Sequence, residues 1–422
     1  MGKFASTAGA VAVLFLVGAT SASADPILGP ENQGVMTRAR PDFDAKGLPL
    51  GGLRLFPTLD AKIGYDDNVI RQSPALAKGS MFFEETPGLR LQSEWSRHEF
   101  DLYANMDALQ YSSLSNDSQT NFTFGGDGRL DVTRGIDVLG GGSYANMHEA
   151  RNSPEQAGNA LKPTSFRQSN ANASFEYHPY SFAFSFGGTY QRSDYSATLI
   201  NGGPPLSNKD RNGDIFDVFG KAAYEFSPGY AAFVRADYNT HSFDLALDRN
   251  GFHRASHGYA VNGGLDVMLT HFLRGEVFAG YLNQQFKGTI LKPLANVSGV
   301  DFGANLDWYA TGLLTVHLSA AHAVNDTIIA LASASTDNSV GVSADYELAR
   351  NVLVNANVGY RDSKYSSGVR DDKYTDAGLK LKYLFNHYMS ADVGYTYEHR
   401  ASSAVGGTYD DNIATAGLTL HL

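Results

Sequence analysis

Apolar and polar residues alternate along most of this chain. Over the last residues, Ala414, Ala416, Leu418, Leu420 and Leu422 hold one parity, while Ile413, Thr415, Gly417, Thr419 and His421 hold the other. A repeat of two is that of a β-strand with one apolar and one mostly polar face. The same alternation runs through 182–190, 216–226, 261–269, 340–348 and 352–360. Eighteen such segments are counted, starting near residues 53, 81, 99, 120, 136, 168, 181, 213, 230, 257, 272, 300, 314, 338, 352, 374, 388 and 412.

The connections alternate too. Tight turns at 95–98, 133–135, 178–179, 227–229, 270–271, 311–312, 349–351 and 386–387 are interleaved with long polar loops. Those loops cover 66–80, 112–119, 147–166, 193–212, 240–256, 285–299, 324–337, 362–373 and 400–411. Short turns on one side and long loops on the other mark a membrane barrel, with periplasmic turns and extracellular loops. A propeller or solenoid would repeat a motif at fixed period, and none is visible. Closing the last strand on the first removes both free edges. The expectation is an all-β fold, a single transmembrane antiparallel β-barrel of about 18 strands over residues 53–422.

Two groups of aromatics fit that reading. Trp95, Tyr177, Tyr180, Tyr224, Phe226, Tyr230, Phe272, Trp308, Tyr346, Phe385 and Tyr388 sit beside tight turns; Tyr144, Tyr190, Tyr238, Tyr281, Tyr360 and Tyr397 sit at the long-loop ends. Their shared lipid-facing parity predicts two interfacial girdles. The opposite parity is rich in charge, too rich for a dry core. A barrel of this size encloses water instead. The candidate pore-lining residues are Asp217, Lys221, Glu225, Arg235, Asp237, Arg274, Glu276, Asp345, Glu347, Lys380 and Asp392. Because acids outnumber bases, the lumen is expected to be net negative, with neighbours such as Asp217 and Lys221, or Arg235 and Asp237, partly neutralising one another.

Ahead of the barrel, Lys3, an apolar run over 8–19 and Ala22-Ser23-Ala24 read as a secretory signal peptide, residues 1–24. Residues 25–52 carry Pro26, Pro30, Pro41 and Pro49 and read as an extended periplasmic lead-in, a flexible tether. Zero Cys means neither disulfides nor a lipid-attachment cysteine. Once the leader is removed, 44 acids against 32 bases leave a net charge of −12, which argues against nucleic acid as a partner. The partners expected are outer-membrane lipid and lipopolysaccharide, and the barrel-assembly machinery; oligomeric state stays open.

No metalloprotease, nucleophile-elbow or P-loop signature occurs, and no cofactor is expected. The pairs Asp66-Asp67, Asp371-Asp372 and Asp410-Asp411 fall in outward loops, where solvated charge competes with binding of calcium or lipopolysaccharide-bridging cations.

One stretch carries a family likeness. Gly34-Val35 leads to Arg38-Ala39-Arg40-Pro41, then to Phe43-Asp44-Ala45-Lys46-Gly47-Leu48 and Gly51, then to Phe56-Pro57-Thr58-Leu59 and Tyr65-Asp66-Asp67-Asn68-Val69. This resembles the putative β-barrel porin family of Gram-negative outer-membrane proteins. The resemblance implies an all-barrel layout, no catalytic residues, and an association of some members with exopolysaccharide systems. Tyr-Asp-Asp-Asn recurs at Tyr409 to Asn412, so closure would make the two copies neighbours at the outer rim. The chain departs from the usual barrel ending in having Leu422 rather than a terminal aromatic. Three functions suit such a barrel: a diffusion channel for small hydrophilic solutes with mild cation preference; a structural or exopolysaccharide-export-associated protein with a plugged or gated lumen; and an outer-membrane enzyme, the least favoured.

Overall fold

The computed structural model describes residues 34–269 and 272–422. The signal-peptide reading, the first part of the lead-in and the turn at 270–271 lie outside the described residues. The strands are β1 (Leu48–Leu50), β2 (Leu53–Asp66), β3 (Ser80–Ser93), β4 (Glu99–Tyr111), β5 (Gln119–Thr133) and β6 (Ile136–His148). There follow β7 (Ser165–Tyr177), β8 (Phe182–Tyr195), β9 (Gly213–Ser227), β10 (Tyr230–Phe243), β11 (Ser256–Leu269) and β12 (Leu273–Phe286). The chain ends with β13 (Val297–Thr311), β14 (Leu314–Asp326), β15 (Ala334–Ala349), β16 (Val352–Tyr365), β17 (Asp371–Asn386), β18 (Met389–Ser402) and β19 (Tyr409–His421).

Strands β2 to β19 pair antiparallel, each with the next, and β19 returns to β2 with Ala414 opposite Tyr65 and Leu420 opposite Leu59. The result is a closed barrel of 18 strands, plus the short β1 folded back on β2. The two Tyr-Asp-Asp-Asn copies do meet at the outer rim, where Asp67 accepts from the Asn412 backbone N–H and side-chain amide at 2.8 and 2.7 Å.

Alternation decides which way each residue faces. Val300 is 65 % exposed and Val342 49 % exposed, as lipid-facing residues must be, and the apolar residues sharing their parity form a band around the barrel. Exposed Trp95, Tyr224, Phe226, Phe385 and Tyr388 edge that band near the short turns, and Tyr190, Tyr238, Tyr281 and Tyr360 near the long loops. The turns are tight because their sequences permit it. At Pro228-Gly229, glycine takes φ 83°, the left-handed region that a side chain disfavours.

The lead-in departs from the expected tether. Over its described part it turns back into the short-turn mouth of the barrel. Val35 is 2 % exposed and packs on Leu353 and Leu384, two apolar side chains on the lumen parity of β16 and β17, with Met36 and Phe43 alongside. The Val35 N–H donates to Thr315 Oγ1 of β14 at 3.0 Å. An apolar step on an otherwise polar wall needs a cover, and the lead-in supplies it.

Candidate functional site: the barrel lumen

The lumen holds a cavity of about 1710 Å³, larger than an ordinary small-molecule pocket. Its wall runs mainly from β7 to β16. Gly34, Met36 and Thr37 of the lead-in form part of its floor, and residues 149–155 of the β6–β7 loop part of its roof. Thirteen Asp and Glu line it against six Lys and Arg. That surplus of acid makes the enclosed field negative.

The sequence-derived candidates divide between two settings. Asp217, Lys221, Arg235, Asp237, Arg274, Glu276 and Asp345 line this cavity. Lys221 Nζ lies 3.2 Å from Asp266 and 2.7 Å from Glu276, with the Phe233 ring beneath it. Arg235 clasps Asp237 at 2.7 Å and lies over Phe219. His317 bridges Asp307 at 2.6 Å and Asp345 at 3.0 Å. The wall is therefore partly self-neutralised, with acid left over.

Glu225, Glu347, Lys380 and Asp392 do not line the cavity. Glu225 accepts from the Gly229 N–H at 3.4 Å beside the turn. Glu347 is covered by the lead-in, bound by Arg38 and, at 2.8 Å, by Arg40. Lys380 and Asp392 pair with each other at 3.4 Å on β17 and β18. For Glu347 the reason is that the lead-in occupies lumen space, which strand parity alone does not register.

The acidic pairs are also corrected. Asp66 and Asp411 are buried at the outer rim rather than solvated, and Arg71 sits on both, at 3.1 and 2.8 Å. Asp66, Asp67 and Asp411 bring their carboxylates together, yet the Arg71 guanidinium already supplies the positive charge there. Asp372 is likewise buried, against Arg370 at 2.7 Å.

The roof was not legible as a site. The β6–β7 loop crosses the lumen to β18, six strands round the wall from β6. Asn152 Nδ2 donates to Glu398 at 2.9 Å, and Arg400 donates to the Asn152 carbonyl at 2.8 Å. Glu398 also accepts from the Tyr409 hydroxyl. Arg211 binds Glu149 at 2.6 Å, and Arg151 binds Asp117. On the other side Glu155 accepts from Thr327 Oγ1 at 2.6 Å and the Ile328 N–H at 2.9 Å. Burial pushes the Glu155 carboxyl above its ordinary value, against the opposing pull of the Thr327 hydroxyl, Arg211 and the Ile328 N–H. The only sequence signal for this roof was a long loop carrying Glu149, Asn152 and Glu155 among polar neighbours.

Several solved structures resemble the chain. OpdL of Pseudomonas aeruginosa is 14 % identical at a TM-score of 0.45, over 88 % of this chain and 100 % of that one. The outer membrane protein OpdK of the same organism is 11 % identical at 0.44, over 87 % and 99 %. The siderophore receptor PirA of Acinetobacter baumannii is 8 % identical at 0.47, over 87 % and 80 %. No curated protein matches the chain. The family model described as "Putative beta-barrel porin 2" matches residues 40–422, and the chain, a closed outer-membrane β-barrel, belongs to that family.

Proposed function

We propose that this barrel is a porin-like channel for small hydrophilic solutes with a mild preference for cations. The observation that carries the reading is the acid surplus on the cavity wall, thirteen against six. A net wall charge of one sign, acting across a lumen comparable to the roughly 8–10 Å screening length of physiological salt, concentrates counter-ions. The reading needs no catalytic step. It sets the barrel in outer-membrane lipid and lipopolysaccharide after export and insertion by the assembly machinery. The test is the reversal potential in a salt gradient across a planar bilayer. Cation preference that weakens as salt rises, and that falls when Asp217 and Asp237 become Asn, is the expected result. Anion preference overturns it.

A second reading has its own support. Chain is folded into both mouths, residues 34–47 at one and 149–155 at the other. That favours a plugged or gated barrel, of the structural or exopolysaccharide-export-associated kind. A correctly folded protein that conducts only after residues 34–47 are deleted would select this reading over an open channel.

A further inference from the structure

The seam between β13 and β14 is incomplete. Pairing runs from Thr311 opposite Leu314 to Gly303 opposite Ala321, and there it stops. Both strands continue: β13 keeps its pairing with β12 up to Val297, and β14 keeps its pairing with β15 up to Asp326. Residues 297–302 and 322–326 thus face each other unpaired, over roughly 16–20 Å of strand. Among the described residues, no other seam leaves more than three consecutive residues unpaired on both strands where they face each other. A Cβ built on Gly299 meets nothing within 4 Å, as expected beside a gap.

The opening has a cause. The outer end of β14 is drawn into the lumen. Asp326 accepts from, or pairs with, His241 Nδ1 of β10 at 2.6 Å, and the next two residues bind Glu155 of the roof. Arg254 holds the Ile329 carbonyl at 3.1 Å and also the Ala332 carbonyl. Within 297–302 of β13, Asp301 reaches only as far as Asn262 of β11, two strands along the wall. Above the gap the two sides rejoin, where Ser333 Oγ donates to the Ala295 carbonyl at 2.7 Å. The gap is therefore a framed window and not a frayed end.

The window joins the cavity to the lipid face. In a closed wall only alternate residues line the lumen. Here 301–305 and 319–328 line it without a break, whereas no other strand run exceeds three. On the lipid side the window starts at Phe302 and His322, whose rings lie 5.6 Å apart, and passes Val300, which is opposite Tyr281 of the outer girdle. Its lower edge thus lies at the outer girdle and the rest above it, where head groups and water can satisfy the free backbone groups. Its lumen side offers Asp301, which accepts from Asn262 at 2.6 Å, and Asp326.

We propose that this window passes the hydrocarbon chain of a single-chain amphiphile between the outer leaflet and the lumen. Apolar residues at the sill receive the chain. The acids within accept hydrogen bonds from a head group that bears no negative charge. This does not depend on ion conduction and stands or falls separately from the channel reading.

The test places a fluorescent reporter behind the window. In a chain with Trp95→Phe and Trp308→Phe, Ala323→Trp puts indole on the lumen parity of β14; Ser143→Trp puts it on the lumen parity of β6, away from the window. Full-length protein in lipid nanodiscs is titrated with dodecyl maltoside brominated on its chain. Quenching several-fold stronger at 323 than at 143, reduced to the level at 143 when Gly299→Cys and Asn325→Cys are oxidised to a disulfide across the seam, is the expected result. Equal quenching at 323 and 143, or quenching unchanged by the lock, overturns the proposal. Amide exchange of the unaltered protein gives a second reading. Those amides of 297–302 that point away from β12 should exchange roughly tenfold or more faster than amides of 303–308. Equal protection would mean that the seam is shut and would likewise overturn it.

Discussion

At the long-loop end, the lumen is roofed by side chains that are charged and buried. At the short-turn end, its floor is one peptide lying on a small apolar step. The roof is tied by Arg71 between Asp66 and Asp411, by Arg211 with Glu149, by Arg254 with Asp248, and by Asn152 bridging to Glu398. The floor rests on Val35 against Leu353 and Leu384, with Arg38 and Arg40 on Glu347. A buried charge that loses its partner is costly, so the roof is rigid by default. The floor has one such pair, Arg40 with Glu347, beside an apolar contact of a few side chains, so it holds less firmly than the several pairs of the roof. Strength therefore belongs to the outer end and the weaker hold to the lead-in at the inner one.

Removing Arg71 should have the largest effect. Arg71→Ala leaves Asp66 and Asp411 buried without a counter-charge, which should cost about 3–5 kcal/mol in urea unfolding from lipid vesicles. A loss below about 1 kcal/mol would mean that the roof is not held by its ion pairs. The wall itself gives a scale for both ends. Val342→Arg, on the lipid face, should cost about 2–4 kcal/mol, while Ser343→Arg, on the lumen face, should cost little. Equal losses would show the facing to be wrong.

At the floor, Val35→Asp should forfeit about 1.5–3 kcal/mol of docking, the worth of one buried aliphatic side chain. It should leave the barrel's unfolding midpoint in place while protease added from the periplasmic side cuts near residues 38–47 faster. A shifted midpoint with no change in cleavage would reverse that assignment of strength. Arg38→Ala removes a partly exposed pair with Glu347 and should cost only about 0–1 kcal/mol by the same assay.

The smallest effect is a pH dependence at the roof. Glu155 has its carboxyl raised by burial, so the folded loop binds its proton more tightly than the unfolded loop does. Its contribution is then fully present below the ordinary carboxylate value and is lost as pH rises through the raised one. Protection factors of the amides of 150–164, each taken against the unstructured rate at the same pH, should therefore fall modestly between those two values, and Glu155→Gln should flatten the trend. Protection that rises with pH would contradict the sign.

The sequence alone determined the wall. Lipid admits no unpaired backbone and few charges, so every strand within the bilayer must alternate, and alternation is local and readable. Strand starts that follow a tight turn fall at or within one residue of expectation: 99, 136, 230, 314 and 352 are matched outright. Those that follow a long loop come up to four residues early, as at Ala334, Asp371 and Tyr409. Above the bilayer the ladder continues, but nothing requires its outward residues to be apolar, so the signal fades before the strand does. Closure of β19 on β2 and the inward set around Asp217, Arg235 and Asp237 follow from the same parity.

Only the tertiary structure decided what fills the lumen. Glu347 and Lys380 share the parity of Asp217, yet one is covered by Arg38 and Arg40 and the other is tied to Asp392. Glu155 meets Thr327 across a sequence separation of 172 residues. The lead-in motif carried both arginines in plain view, but their partner lies some three hundred residues downstream. Such pairings have no period and no local propensity behind them. They exist because a closed wall brings distant loops and one terminus into the same enclosed space, where each buried charge must find a partner. The split seam has the same origin, since β14 leaves β13 only where the roof and His241 pull it inward.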